Sequence, residues 1–403
     1  MTTNDDTLPD APAGAETPPA GGVSGAEVRG GEARGGLSRR GLIGLAAGIG
    51  AAGLAVGAGA GSAAGVAVGR ARVGASGASV HPFFGVHQAG ITTPVQDHLH
   101  FASFDMMART NRDDLIELLQ DWTYAAARMS QGLDVSATGA VGGSPEAPPD
   151  DTGEALGLAA NGLTITFGFG PTLFQTGAGE DRYGIAAQRP AALTPLPAFL
   201  GDDLDPLASG GDLFGFKDGT ANILADDTAA LDAHVWVGSG DEPAWMTGGS
   251  YLVARKIAML IETWDRVRLA EQERVTGRDK AIGAPLSGGQ ENTAPDFAAT
   301  GPGGAPAIDA RSHVRLAHPD LNGGNRILRR GYNYVDGNTG LGRLDAGLFF
   351  LSYQRSPDQF VALQKALATD LLAEYIRHIG SGVWAVPPGA AAGSYVGAGL
   401  FDA

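Results

Sequence analysis

The sequence predicts an α+β protein made of two related units. Three observations carry that expectation. Helical apolar periodicity and short alternating strand-like runs are interspersed along the chain. They recur in two halves of similar order. A length of 403 residues with 43% hydrophobic composition also suffices for a sizeable core.

Taken in order, residues 81–91 read as a strand and loop, and 101–106 as a second strand. A helix is expected over 111–129, with Leu115, Leu118, Leu119, Trp122 and Ala125 on one face and Thr110 or Asn111 as cap. Residues 132–160 are a Gly/Pro/Asp-rich loop. Leu163, Ile165, Phe167 and Phe169 alternate with small or polar residues, which predicts a strand. Further on, 250–257 reads as a strand, 258–271 as an amphipathic helix and 283–306 as a long loop. Residues 347–353 read as another strand and 359–379 as a closing helix.

Charge and cysteine content exclude several classes. A net charge of −16 argues against nucleic-acid binding, which needs a basic face. Residues 1–78 hold six Arg and six acids, so the whole imbalance falls on the remainder. The absence of cysteine removes thiolate nucleophiles, Cys-ligated zinc or haem, iron–sulfur clusters and a lipoprotein anchor.

The first 36 residues lack apolar periodicity. Ser38-Arg39-Arg40-Gly41-Leu42-Ile43 follows, then a nearly uncharged Leu/Ala/Gly/Val stretch to Gly69. Paired arginines before a weakly apolar segment are a twin-arginine export signature, and Ala75-Ser76-Gly77-Ala78 has the small residues of a cleavage site. A retained transmembrane helix is the alternative reading.

Three stretches could carry chemistry. In Gly215-Phe216-Lys217-Asp218-Gly219-Thr220-Ala221-Asn222, two glycines bracket one acid. The backbone there can turn sharply and approach a flat ligand, though a plain turn with an Asp cap fits equally. Ser312-His313-Val314-Arg315-Leu316-Ala317-His318-Pro319 offers imidazoles, which serve as metal ligands or as packing residues. In Ile327-Leu328-Arg329-Arg330-Gly331-Tyr332-Asn333-Tyr334, an arginine is either a surface charge or a cation aimed into a pocket.

Together these stretches resemble the dye-decolourising haem peroxidases, nearest to the exported subfamily that includes the deferrochelatase/peroxidase of ferrous-iron uptake systems. Gly215–Gly219 matches the family's Gly-x-x-Asp-Gly turn at every fixed position. The likeness extends through Gly85-Val86-His87-Gln88-Ala89-Gly90-Ile91, Gly249-Ser250-Tyr251-Leu252-Val253-Ala254-Arg255 and Glu262-Thr263-Trp264-Asp265-Arg266. It takes in Glu271-Gln272-Glu273-Arg274 as well, and spans about residues 80–380.

The resemblance implies a pair of ferredoxin-like units of the dimeric α/β-barrel type: a leader (1–78), a first unit (79–213) and a haem-binding second unit (214–390). It implies one haem b per chain. Asp218 takes the place of the distal acid, His313 of the proximal iron ligand and Arg329 of the distal arginine, with Arg330 the lesser candidate. Gly219, Thr220 and Ala221 would follow the turn along the haem face. His318, Pro319 and Asp320 would lie near the macrocycle edge. Asp345 is the expected hydrogen-bond partner of His313.

Under this reading hydrogen peroxide is the oxidant. Asp218 moves a proton between its oxygens, favouring acidic pH, and Arg329 stabilises the developing charge. Bulky dyes would donate electrons through a surface ring, for which Tyr332, Trp264 and Trp384 are available. His87 is expected to be structural, and His81, His98, His100, His234 and His378 surface or packing residues. Expected partners are peroxide with an organic donor or free haem, the twin-arginine translocase, an iron-uptake system and a second copy in a homo-oligomer. Location is extracellular, cell-envelope or periplasmic.

One departure stands out. The chain is short between Ser209-Gly210-Gly211-Asp212-Leu213 and the Gly-x-x-Asp-Gly turn, where relatives complete their first unit. Two other functions stay open: iron release from haem, which needs the same pocket, and an inactive haem-binding protein whose shortened first unit builds no distal site.

Overall fold

The computed structural model describes residues 79–193 and 212–402. The paired arginines, the apolar leader and the stretch leading into Asp212 lie outside the described residues.

Helix α1 (Arg112–Met129) starts at a capping box. The Asn111 side chain accepts from the Asp113 and Asp114 amides, while the Asp114 carboxylate accepts from the Asn111 N–H. Asp113 and Asp114 in the first turn and Arg128 in the last complement the helix dipole. Leu115 and Leu119 are buried, so the apolar face read from the sequence is the packed one.

Two short helices follow, α2 (Pro171–Phe174) and α3 (Thr228–His234). The second half then runs β1 (Ser250–Met259), α4 (Ile261–Trp264), α5 (Leu269–Thr276), α6 (His313–Leu316), β2 (Leu328–Arg329), β3 (Tyr332–Asn338), β4 (Leu344–Gln354), α7 (Pro357–Ala366) and β5 (Ile376–Val386). Every ladder is antiparallel: β4 pairs β1, β2 and β3, and β1 also pairs β5. With β2 and β3 taken as one interrupted strand, the order along the chain is strand, helix, strand, strand, helix, strand. The first and third of these strands lie at the centre of the sheet and the second and fourth at its edges. That is the ferredoxin-like arrangement.

The second unit is complete. The first unit adds α1 and α2 but no ladder strand among the described residues. It meets the sheet edge at one bridge, where Phe169 and Ala385 exchange N–H···O bonds of 2.7 and 2.9 Å.

Several expected elements differ. Residues 81–91 and 101–106 form no strand, and 163–169 reaches β5 only through that bridge. Side chains anchor the first of these segments instead. The Gln88 amide donates to Phe167 and Pro387 carbonyls at 3.1 and 2.9 Å and accepts from the Phe167 N–H at 2.8 Å. His87 stacks on Trp236 at 3.7 Å and is a packing residue, as expected. The helix read over 258–271 is two helices, because β1 pairs on both sides as far as Ala258 and then gives way to a tight turn. The closing helix ends at Ala366 rather than Ile379. Asp370 captures the Leu372 N–H (2.9 Å) and starts a new turn, after which Ile376–Val386 completes the sheet.

Both faces of the sheet are covered. Leu115, Leu119, Phe169 and Phe360 pack on Tyr251 and Val253, and Leu231, Val235 and Trp236 pack on Leu252, Phe349 and Leu351. A third cluster of Phe214, Phe216, Trp264, Val275 and Tyr375 lies under the turn that carries Asp218.

Candidate active site

That turn is built by Asp212. Its Oδ1 accepts from the Phe214 and Phe216 amides at 3.0 and 3.1 Å, and its own N–H donates to the Phe216 carbonyl at 2.9 Å. Gly215 (φ 83°) and Gly219 (φ 84°) occupy the left-handed region that glycine adopts without strain. Ala221 (φ 59°) is the one non-glycine residue there among the described residues, so the turn is held against local preference. Beneath it Phe214 stacks on Trp264 at 4.4 Å, and Trp264 Nε1 donates to the Phe214 carbonyl at 3.1 Å.

The turn delivers Asp218 to Arg329, with Oδ1 3.6 Å from Nη1. Arg329 Nη2 donates to the Thr220 carbonyl at 2.9 Å. Asn222 completes the junction: its amide donates to the Arg329 carbonyl (2.7 Å) and its Oδ1 accepts from the Arg329 N–H (2.9 Å). It thus serves as the missing ladder partner of the edge strand β2. Gly331 is required for the approach, since a Cβ there would lie 2.9 Å from Asp218 Oδ2 and 3.1 Å from Leu348.

Arg330 plays a different part. It is buried, and its guanidinium donates to the carbonyls of Thr93 (2.6 Å) and Pro94 (2.9 Å). It ties the first unit to the sheet and leaves Arg329 as the site arginine.

His313 opens α6. Its Nδ1 lies 2.6 Å from Asp370 Oδ2, and that carboxylate is nearly enclosed, at 6% side-chain exposure. Asp370 therefore replaces Asp345 as the partner of His313. The chain between α7 and β5 passes against α6, with the Leu371 N–H donating to the Arg311 carbonyl at 3.1 Å, whereas Asp345 stays on β4. His318, Pro319 and Asp320 form a 3-10 turn after α6, in which His318 Nδ1 accepts from the Asp320 N–H at 3.3 Å. Asp320 is largely exposed.

The rings offered as electron carriers are not surface groups. Trp264 and Tyr332 are fully buried, and Trp384 is partly buried against Phe101 at 5.2 Å. Aromatic size makes them core residues first.

Asp212 links the two sides, because the charges of both Asp218 and His313 act on it. Burial pushes its carboxyl up to about 6; the Phe216 amide opposes this and the Asp218 charge adds to it. A carboxyl whose pKa rises on folding stabilises the native state below its unfolded pKa and loses that contribution as pH rises through the folded one. The loss therefore runs from about pH 4 to about pH 6. Asp212→Asn, which keeps the Oδ1 acceptor, is expected to stabilise the haem-free protein by about 3 kcal/mol at pH 7 and by almost nothing at pH 4. Urea denaturation at the two pH values checks this.

On the outer side of the turn, a depression of about 440 Å³ is lined by Lys217, Ile282, Gln290, Glu291, Asn292 and Thr293. It contains none of Asp218, Arg329 or His313.

Fold and site define a class: a ferredoxin-like α+β protein that pairs a carboxylate with a guanidinium and, separately, an imidazole with a nearly buried carboxylate. Comparison with known proteins specifies it further. Residues 88–215 match the model of the Dyp-type peroxidase N-terminal domain, and 210–391 that of the C-terminal domain. The deferrochelatases of Shigella flexneri and Escherichia coli K12 are each 34% identical to this chain. The first aligns over 380 residues (80% of this chain, 87% of the relative), the second over 378 (79% and 86%). The structure of ferric DtpA from Streptomyces lividans superposes with a TM-score of 0.71 at 34% identity, covering 81% of this chain and 98% of that one. A DyP-type peroxidase from Cellulomonas bogoriensis gives 0.69 at 31% identity, covering 81% and 99%. The chain belongs to the Dyp-type peroxidase family.

Proposed function

We propose that the protein is a haem b-dependent peroxidase that reduces hydrogen peroxide and oxidises bulky organic donors. The observation that carries this reading is the anchoring of His313. With Nδ1 engaged by Asp370, Nε2 is the ring nitrogen left to bind iron. Within the described residues no cluster of acids and histidines offers a rival metal site. The donor set therefore fits haem better than a bare ion.

In this reading His313 holds the iron, and the haem supplies the redox equivalents exchanged with peroxide. Asp218 takes a proton from one peroxide oxygen and returns it to the other, while Arg329 offsets the negative charge that develops. Thr220 and Asn222 hold Arg329 in place from opposite ends of the residue. Gly219, Thr220 and Ala221 would help to hold the haem from the turn, and His318, Pro319 and Asp320 from the segment after α6. The name shared by the curated relatives favours a second reading, removal of iron from haem.

The deciding measurement is an absorption spectrum of the haem-reconstituted protein before and after one equivalent of peroxide. A prompt change that a dye donor reverses supports the peroxidase. Iron release with intact porphyrin and no peroxide response supports the second reading. Bound haem inert in both assays points to an inactive haem-binding protein.

Residues 1–78 are further proposed as a leader for the twin-arginine translocase, with 79–213 and 214–390 as the two units. Export would place the protein outside the cytoplasm, where an iron-uptake system and self-association are open to it. Replacing Arg39 and Arg40 by Lys is expected to retain it inside the cell, as fractionation would show.

A further inference from the structure

The loop after α5 grips the Asp218 turn from outside. Arg278 anchors the loop: it is buried, and its Nη1 donates to the Gly283 and Glu291 carbonyls at 2.7 and 3.0 Å. The Asp279 carboxylate accepts from the Ala281 and Ile282 amides, both at 2.9 Å, so the loop is tied within itself. From this base Glu291 reaches back across more than 70 positions of sequence. Its Oε2 lies 2.5 Å from Lys217 Nζ, and its Oε1 accepts from the Thr220 hydroxyl at 3.2 Å.

Those two contacts bracket Asp218. Lys217 precedes it directly, and Thr220 lies two residues beyond. Thr220 is also the residue whose carbonyl holds Arg329. One carboxylate thus bears on both members of the Asp218–Arg329 pair. A third contact comes from Lys280, whose ammonium lies 5.4 Å from the Phe216 ring centre and donates to Gln272 Oε1 at 2.7 Å.

As a stability device the clamp is weak. Lys217 and Glu291 keep 43% and 34% of their side-chain surface exposed, and ion pairs in such settings add at most about 1 kcal/mol. Its geometric consequence is larger. The turn contains a residue in the left-handed region, Ala221, and its free side opens onto the depression beyond Lys217. Without Glu291, the segment 217–221 would be held mainly by Asn222 and the Arg329 side chain. A catalytic group misplaced by about 1 Å can lose about a hundredfold in rate.

We propose that Glu291 is a positioning residue for the peroxide step, fixing Asp218 and Arg329 through Lys217 and Thr220 without touching peroxide or haem. The role of Asp218 in that step rests on the function proposed above, whereas the clamp itself does not.

The test uses the full chain with Glu291→Ala, Glu291→Gln and, as a control, Asp336→Asn, which breaks the partly buried Lys256 pair elsewhere. In haem-free protein, amide hydrogen exchange over 214–222 should accelerate in Glu291→Ala and stay unchanged in Asp336→Asn. In haem-loaded protein, Glu291→Ala should retain full haem and weaken cyanide binding, and its rate of spectral change with peroxide should fall about tenfold. Glu291→Gln keeps an acceptor for Thr220 but loses the ionic contact, so it should fall between wild type and Ala. Unchanged exchange in Glu291→Ala overturns the clamp. Faster exchange with unchanged cyanide binding and peroxide rate overturns the positioning role. If wild type binds haem yet ignores peroxide, the function proposed above fails, while exchange and cyanide binding still judge Glu291.

Discussion

His313→Ala is expected to abolish stable haem binding. The haem absorption band per protein, measured after reconstitution and desalting, should drop to the level of non-specific uptake. The reason is local. His313 is the imidazole whose Nδ1 a nearly buried carboxylate anchors, and among the described residues no cluster of acids and histidines stands in reserve. The same substitution leaves Asp370 nearly buried with the Leu372 amide as its remaining hydrogen-bond donor, which costs about 1–3 kcal/mol. Lost haem could then be confused with lost fold, and two further measurements separate them. Free imidazole should restore haem binding to His313→Ala if the fold survives. Asp370→Asn should keep haem but weaken it, since an outer partner of a ligating histidine is worth about 10–100-fold in affinity. A His313→Ala protein that retains its haem spectrum unchanged would refute the ligand assignment.

How much of this was legible in the sequence depends on how far each signal reaches along the chain. Helix α1 was readable because its cap, its acidic first turn and its apolar face all lie within one short segment. Strands β1 and β4 were readable from their short apolar and aromatic runs, Tyr251-Leu252-Val253-Ala254 and Leu348-Phe349-Phe350-Leu351. The turn at Asp218 was readable from its glycines, both of which adopt positive φ. Contacts between distant segments were not. Asp345 and Asp370 are both acids downstream of His313, and nothing local tells which one the fold brings back to it. Asn222 looked like the tail of a motif, whereas its side chain takes over main-chain pairing for β2.

Arg329 and Arg330 were separable in principle, because successive residues on an extended segment point to opposite sides. One meets Asp218 and the other the carbonyls of Thr93 and Pro94, but which goes where depends on the first unit. Strand β5 was lost in a helical reading because the apolar residues of α7 continue through Leu371 and Tyr375. The break needed the Asp370 cap to reveal it.

Asp218→Asn is expected to keep haem and slow the peroxide reaction by about a hundred- to a thousandfold, since a positioned proton-transfer group contributes about 10²–10⁴. The substitution is nearly isosteric. The amide oxygen can still accept from the Gly219 N–H, which lies 2.6 Å from Asp218 Oδ1, and the tight fit against Gly331 is preserved. Stability should barely change, because the 3.6 Å pair with Arg329 is partly exposed on both sides. Stopped-flow absorbance at varied peroxide concentration gives the rate.

Arg329 extends the argument. Its guanidinium uses Nη2 on the Thr220 carbonyl and turns Nη1 to Asp218, a division of labour that one ammonium cannot copy. Arg329→Lys should therefore lose almost as much rate as Arg329→Leu, although only the second removes the charge. If Lys rescues most of the rate, charge alone suffices and the fork geometry is incidental. If Lys fails, the orientation set by Thr220 is what the reaction depends on. The Asp218→Asn/Arg329→Leu double variant should then fall little below the worse single, as expected of two groups acting as one unit.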